Sequence, residues 1–254
     1  MTIRVSLTML VAAAALHWGA MPAMAQTASV QTAAPQPKAV VELFTSQGCS
    51  SCPAADALFV ELAKNPGLIA LTLPVTYWDY LGWKDTLGQD AFTKRQKQYS
   101  KVRGDGQVYT PQAVINGTGH AIGSNRGDIE KAMAPTAFIA RIAVKTEGSV
   151  LAITVTPLPD AAGREAAIWV LPTTGQVTVP IARGENGGRT VTYANVVRGL
   201  VRVGDWKGGE ASVSVPLETI RVAGADGYVV LLQAEQPGRY GMMPGAILAA
   251  AQTR

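Results

Sequence analysis

The stretch Val41-Glu42-Leu43-Phe44-Thr45-Ser46-Gln47-Gly48-Cys49-Ser50-Ser51-Cys52-Pro53 decides how this chain is read. It starts in a β-rich run, Lys38–Thr45, and ends at the opening of a helical run, Ser50–Lys64, whose Leu58, Phe59 and Leu62 share one face. Between the two runs lie the only 2 cysteines of the 254 residues, at C-x-x-C spacing. The strand-to-helix context gives that spacing its chemical meaning. A cysteine at a helix entrance lies near backbone N–H groups without intrahelical partners and near the positive end of the helix dipole. Both favour thiolate over thiol, which predicts a lowered pKa for an accessible Cys49 and nucleophilic reactivity at neutral pH. Cys52, one turn further in, is positioned to resolve a mixed disulfide and is predicted to be more buried. Pro53 fits the first helical turn, which has no use for its missing N–H.

Outward from this stretch the pattern changes once, near residue 140. Up to there strands and helices alternate. Leu68–Thr76 reads as a buried strand and Leu87–Arg103 as a helix ending at Gly104. Gln112–Ile115 and His120–Gly123 flank Asn116-Gly117, a strong hairpin signal, and Gly127–Ala140 reads as a closing helix. The order β-α-β-α-β-β-α predicts a central mixed sheet flanked by helices over residues 38–140. From 141 to 254 the runs Val150–Thr156, Ala166–Leu171, Thr190–Val197, Ala211–Val215 and Tyr228–Ala234 are rich in β-branched residues and separated by Gly and Pro clusters. They predict an all-β, sandwich-like second domain. Ala246–Ala251 fits a helix and an edge strand equally.

A proline at the start of a strand, as in Thr110-Pro111 before Gln112–Ile115, completes a pattern with the cysteines. Residues 38–140 thereby resemble the thioredoxin superfamily. More narrowly, the opening stretch, Tyr77-Trp78-Asp79-Tyr80-Leu81-Gly82-Trp83-Lys84-Asp85 and Gly184-Glu185-Asn186-Gly187-Gly188-Arg189-Thr190 resemble a family of secreted bacterial thioredoxin-like proteins of unknown function, domain of unknown function 1223. The resemblance implies an α/β thioredoxin-like domain followed by the β-rich one, and thiol–disulfide chemistry at Cys49 and Cys52. It also implies a cis bond between Thr110 and Pro111 beside the cysteines, with the Thr110 backbone left free for an extended substrate. The sequence departs from ordinary thioredoxin in three ways. Gly48 stands where an aromatic residue is usual, Ser50-Ser51 replaces Gly-Pro, and the buried aspartate has no clear counterpart. Glu42, on the strand face of Val40 and Phe44, is the candidate for that last role. If buried, its raised pKa would suit it to accept a proton from Cys52; otherwise it is a strand-edge glutamate facing water.

Other readings of the same residues stay open. The pair can be a static staple, although so short a loop removes little unfolded-state entropy. Two thiolates with His120 could instead hold Cu(I), which prefers sulfur. Trp78 and Asp79, at a strand end in the aromatic Tyr77–Asp85 segment, are candidate walls of the cysteine cleft, against the alternative that the rings plug the core. Lys94–Tyr99 reads as a solvated helix face, and Arg183–Arg189 as a loop at the end of the β domain.

Composition limits the function classes. The chain carries 48% hydrophobic and 16% charged residues and a formal charge of +4, with basic residues scattered and only 6% aromatic, which argues against nucleic acid. Of the 2 histidines, His17 lies in the N-terminal segment, leaving too few for a three-histidine zinc site. Neither a cofactor nor a metal is expected. In residues 1–25, Arg4 precedes the apolar run Leu7–Leu16 and the motif Ala23-Met24-Ala25, an export signal cleaved before Gln26. Residues 26–37 read as a flexible leader. The mature chain is expected to be periplasmic or secreted, with no stable membrane insertion, and its partners to be protein or small-molecule thiols and disulfides.

Overall fold

Strand β1 (Ala39–Thr45) is buried along its whole length, as its near-continuous apolar run requires of a central strand. The computed structural model describes residues 1–2, 36–134, 137–239 and 241–253. Residues 3–35, which take in most of the segment read as an export signal and most of the expected leader, lie outside the described residues. After β1 come α1 (Pro53–Leu62), β2 (Leu68–Pro74), a 3₁₀ turn (Asp79–Leu81), α2 (Asp90–Arg103), β3 (Gln112–Ile115), β4 (Gly119–Ile122) and α3 (Arg126–Met133). Then follow β5 (Ala140–Glu147), β6 (Val150–Pro157), a second 3₁₀ turn (Pro159–Ala161), β7 (Ala166–Pro180), β8 (Thr190–Val197), β9 (Val201–Trp206), β10 (Ala211–Pro216), α4 (Leu217–Ile220), β11 (Gly227–Gly238) and β12 (Gly241–Gln252).

Strand β1 runs parallel to β2, in register from Ala39↔Leu68 to Thr45↔Pro74, and antiparallel to β3, from Val41↔Ile115 to Phe44↔Gln112. The β3–β4 hairpin turns through Asn116 and Gly117, both at positive φ, as the Asn-Gly pair demands. The element order expected of residues 38–140 is therefore present.

The expected fold class is not. A thioredoxin-like α/β domain followed by a separate β-sandwich would leave two sheets divided near residue 140. Instead one nine-stranded mixed sheet runs in the order β12-β11-β7-β8-β2-β1-β3-β4, with β9 paired to β7. Of the described residues, 45% are in strands and only 19% in helices. The junction is the parallel contact Thr72↔Val196 between β2 and β8, reinforced by the Thr72 hydroxyl donating to the Ala194 carbonyl at 2.7 Å. A second sheet, β10-β6-β5, covers the far end. Local periodicity identified most of these strands, but it carries no information about which strand lies beside which. That is why the expectation of a separate sandwich sheet failed.

The burial pattern follows the alternation along each strand. Val41 and Leu43 of β1 face α1, packing with Ala55, Phe59 and Leu62. Val40 and Phe44 point to the other face, into a core that holds Phe92 and Tyr99 of α2 together with Val229, Leu231 and Ile247 of β11 and β12. That core joins the two halves. Each fully buried large apolar side chain in it contributes roughly 1.5–3 kcal/mol. The intervening residues Val230 and Leu232 of β11 face the small sheet, with Ile153, Ile168 and Trp206. Two local readings change accordingly. Ala246–Ala251 is strand, within β12. Lys94–Tyr99 is not a solvated face: Lys94 and Lys97 are exposed, but Arg95, Gln96 and Tyr99 are buried against the shared core.

Candidate functional site

Cys49 and Cys52 are joined in a disulfide, with their Cα atoms 5.4 Å apart. The turn after β1 closes through the Cys49 N–H donating to Ser46 and the Cys52 N–H donating to Cys49. Cys52 is the N-cap of α1 and Pro53 opens the helix, as expected. Cys52 is fully buried. Cys49, expected to be accessible, is only 2% exposed.

The cover comes from far along the chain. The loop joining β7 and β8, expected at a remote end of a β domain, lies over the cysteine turn. The Asn186 amide donates to the carbonyls of Gln47 (3.0 Å) and Cys49 (2.8 Å), and the Glu185 carboxylate accepts the Ser50 N–H at 3.2 Å. Asn186 is 1% exposed, whereas its neighbours Glu185 and Gly187 are exposed, so it alone inserts. Asn186 lies in one of the stretches that carry the family resemblance, but its residue type and Gly-rich setting point to no chemistry of their own. It is separated from Cys49 by 137 positions, and only the β2–β8 pairing brings its loop across.

Trp78 flanks the turn on the other side. A Cβ on Gly48 would lie 3.0 Å from the Trp78 Cβ and 3.2 Å from its carbonyl, so glycine precedes Cys49 because Trp78 fills that space. The Trp78 indole N–H donates to the Thr110 hydroxyl at 2.7 Å, and its ring stacks with exposed Tyr80. The Thr110–Pro111 bond is cis, and the Ser51 hydroxyl reaches the Thr110 carbonyl at 3.5 Å. Trp78, Thr110 and the cysteine turn thus converge, with Pro111 buried at the start of β3. Asp79 is engaged differently: its carboxylate accepts the Asp85 N–H at 3.1 Å, holding the 3₁₀ turn rather than facing the sulfurs.

Two buried acids lie near the pair, and neither is Glu42. Asp56, one helical turn beyond Cys52, is 2% exposed and accepts a 2.7 Å hydrogen bond from the Thr45 hydroxyl. Burial pushes its pKa up to about 8; the Thr45 bond opposes the rise and the charge of Asp85 adds to it. Asp85 accepts the N–H groups of Gln47 and Leu87, and its pKa is also raised by burial. Both acids act on Tyr193 of β8, whose buried hydroxyl has no hydrogen-bond partner. Asp56 could have been singled out from its i+4 spacing to Cys52, a same-face relation on a helix.

Glu42 is fully buried, but on the opposite side of β1. Its carboxylate accepts from Arg95 Nε (2.7 Å), Arg95 Nη2 (3.2 Å) and the Tyr99 hydroxyl (2.5 Å), all on α2. The strand's two-residue period puts it with Val40 and Phe44, away from the helix that Cys52 opens. The sheet itself stands between the Glu42 carboxylate and that helix. His120 faces Tyr109 through Nδ1 and Asp105 through Nε2, so both ring nitrogens are engaged away from the cysteines. Among the described residues no group of three or more His, Cys, Asp or Glu is placed to hold a metal ion.

No curated protein matches the chain. Among solved structures, the crystal structure of protein AGR_C_4864 from Agrobacterium tumefaciens is 31% identical, with a TM-score of 0.75 over 86% of this chain and 94% of that one. HBP35 of Porphyromonas gingivalis is similar in fold alone, with 12% identity and a TM-score of 0.56 over 86% of this chain and 75% of that one. The family model described as Protein of unknown function (DUF1223) matches residues 40–233, a span that takes in the cysteine turn, the Trp78 segment and the Asn186 loop. The chain belongs to that family.

Proposed function

We propose that this protein is an exported thiol–disulfide oxidoreductase acting through Cys49 and Cys52. The observation that carries the reading is a disulfide at the opening of α1 with a buried, proton-holding carboxyl, Asp56, one turn behind it. Two groups are needed for exchange at neutral pH: a sulfur that can be attacked and a proton donor for the sulfur that leaves. Cys52 is buried away from water, so its proton has to come from a protein group. With a pKa near 8, Asp56 is protonated in the oxidised protein at neutral pH and can supply one.

A substrate thiolate attacks Cys49 Sγ, the Cys49–Cys52 bond breaks, and Cys52 leaves and takes the Asp56 proton. A second substrate thiolate attacks the substrate sulfur of the mixed disulfide and releases Cys49. Of the two protons released by the substrate thiols, one recharges Asp56 and the other protonates the departing Cys49 thiolate, so the substrate is oxidised to a disulfide and the protein gains two electrons and two protons. Reversal, with Cys49 attacking and Cys52 resolving, reduces a substrate disulfide. Trp78, Thr110 and Pro111 border the turn where substrate would lie. The export motif in residues 1–25 suits a periplasmic or secreted location, where both directions have use.

The test is to express Cys52→Ser and Cys49→Ser variants in the exported compartment and resolve non-reducing adducts by mass spectrometry. Covalent adducts are expected with Cys52→Ser and not with Cys49→Ser, together with wild-type turnover in insulin reduction or disulfide refolding. A second reading, a binding protein with a structural staple, draws on the near-complete burial of Cys49. Absence of adducts from both variants and of turnover in both assays would establish it in place of the first.

A further inference from the structure

We infer that the β7–β8 loop is a latch over the cysteine pair, with Asn186 and Glu185 deciding what reaches Cys49. The inference rests on reading Cys49–Cys52 as an exchange site, and it adds how that site is controlled. Its basis is the mismatch between chemistry and exposure: exchange needs in-line access to Cys49 Sγ, and Cys49 is 2% exposed. Cys49 Sγ itself meets the Ser51 hydroxyl at 3.4 Å, and two residues of the β7–β8 loop tie the backbone of the turn. Asn186 is the one buried side chain in a run of exposed positions from Ala182 to Thr190, and its amide donates to two carbonyls of the cysteine turn. Its own side-chain oxygen is buried with no partner, so the plug is held only through the two donated bonds. Glu185 adds a third tie, from the exposed side, to the Ser50 N–H.

The rest of the loop is held by its own hydrogen bonds. Gly184 and Gly188 sit at positive φ, at 79° and 82°. The Gly187 N–H donates to Gly184 and the Arg189 N–H to Asn186, closing the tip on itself, while Ile181 and its pairing with residues 188 and 189 anchor the base. Tip closure and base anchoring are both independent of the cysteine turn. Releasing Asn186 and Glu185 therefore breaks the loop's hydrogen bonds to the cysteine turn without breaking those of the tip or the β7–β8 ladder. A thiol approaching Cys49 either waits for that release or comes from a partner that displaces Asn186 by offering the Gln47 and Cys49 carbonyls other donors.

The experiment measures the chemistry of the pair directly, on the mature wild-type protein and on Asn186→Ala, Asn186→Asp and Glu185→Ala. Two rates are followed: reduction of the disulfide by dithiothreitol, and alkylation by iodoacetamide of the reduced protein, read at Cys49 by peptide mass spectrometry. Asn186→Asp keeps the shape of the plug but has no side-chain N–H, so it separates latching from space filling. Both Asn186 variants are expected to accelerate reduction by about tenfold, the shift that loss of a net hydrogen bond permits. Glu185→Ala, an exposed substitution that leaves the buried plug in place, is expected to give roughly threefold. Thermal melts accompany each, and the acceleration is expected under conditions where the melts show every variant fully folded.

Rates equal to wild type in Glu185→Ala and in every folded Asn186 variant overturn the latch. The two proposals fail separately. Accelerated dithiothreitol reduction without insulin or refolding turnover in any protein keeps the latch and removes the oxidoreductase. Wild-type turnover with unchanged rates in the variants does the reverse.

Discussion

Strand β1 has a buried acid on each side, and the two are treated in opposite ways. On the α2 face, Glu42 is met by Arg95, whose guanidinium also donates to Gln233 of β11 at 2.9 Å. Gln233 in turn donates to the Tyr99 hydroxyl and to the Gly245 carbonyl of β12, both at 2.8 Å. That network spans β1, α2, β11 and β12, with its charge balanced by a guanidinium fixed within it. On the α1 face, Asp56 has a hydroxyl from Thr45 and another acid, Asp85, but no salt bridge among the described residues. The lesson is physical: a buried carboxylate with a cation is a structural joint, whereas one without a cation holds its proton into the neutral range. The sheet keeps the two environments apart.

The contrast can be broken most severely at Arg95. Arg95→Ala would leave Glu42 buried without its cation, with a cost of about 3–5 kcal/mol. Denaturant unfolding should show that loss as a lower midpoint; a loss below 1 kcal/mol, on the scale of an exposed ion pair, would show that the network is not a joint at all.

At Asp56 the effect lies in pH dependence. Its folded-state pKa, about 8, exceeds the ordinary 3.8, so between these values the folded state binds more protons than the unfolded one. Stability contributed by this group is full below about pH 4 and declines as pH rises toward 8, by about 1.4 kcal/mol per pH unit within the window. Asp56→Asn should remove that slope, leaving the smaller decline that Asp85 supplies in the same direction. Unfolding free energies at pH 5, 6 and 7 measure the difference, and parallel profiles for the two proteins would refute it.

A smaller change sharpens the comparison. Thr45→Val deletes the one side-chain hydrogen bond that Asp56 receives and keeps the shape, with an expected cost of about 1 kcal/mol. Because the Thr45 bond lowers the Asp56 pKa, the same substitution should extend the pH-dependent window upward. Carbonyl infrared or NMR titration of Asp56 would detect that shift, and a downward move would contradict it.

Much of the cysteine site was legible because its determinants are local. The strand, turn and helix around Cys49 and Cys52 follow from a β run, Gly48 and Pro53, and the Asn116-Gly117 hairpin from its turn chemistry. Glu42 shows where local reading stops. Its place in an apolar strand left burial and a water-facing edge both open, and its partner, Arg95, sits 53 residues away on a helix that looked solvated. Lys94 and Lys97 beside it gave α2 a charged appearance while Arg95, Gln96 and Tyr99 turned inward. Glu185 and Asn186 lie in a Gly-rich loop with the same composition as an ordinary surface connection.

The sequence by itself determined most of the strands and helices up to α3, several of the strands beyond it, and that the two cysteines share one turn. The two-residue period of β1 put Glu42 on one face with Val40 and Phe44 but did not say which helix covers that face. Backbone sterics, turn residues and hydrophobic alternation act over a few residues, so they are readable in order along the chain. Only the tertiary structure decided that the β-rich half continues the same sheet, through the contact of Thr72 with Val196. It alone supplied Arg95 to Glu42, left Asp56 without a cation, and laid Asn186 across Cys49. Those outcomes depend on which surfaces meet after folding, and desolvation and charge pairing are set by that meeting rather than by neighbours in sequence.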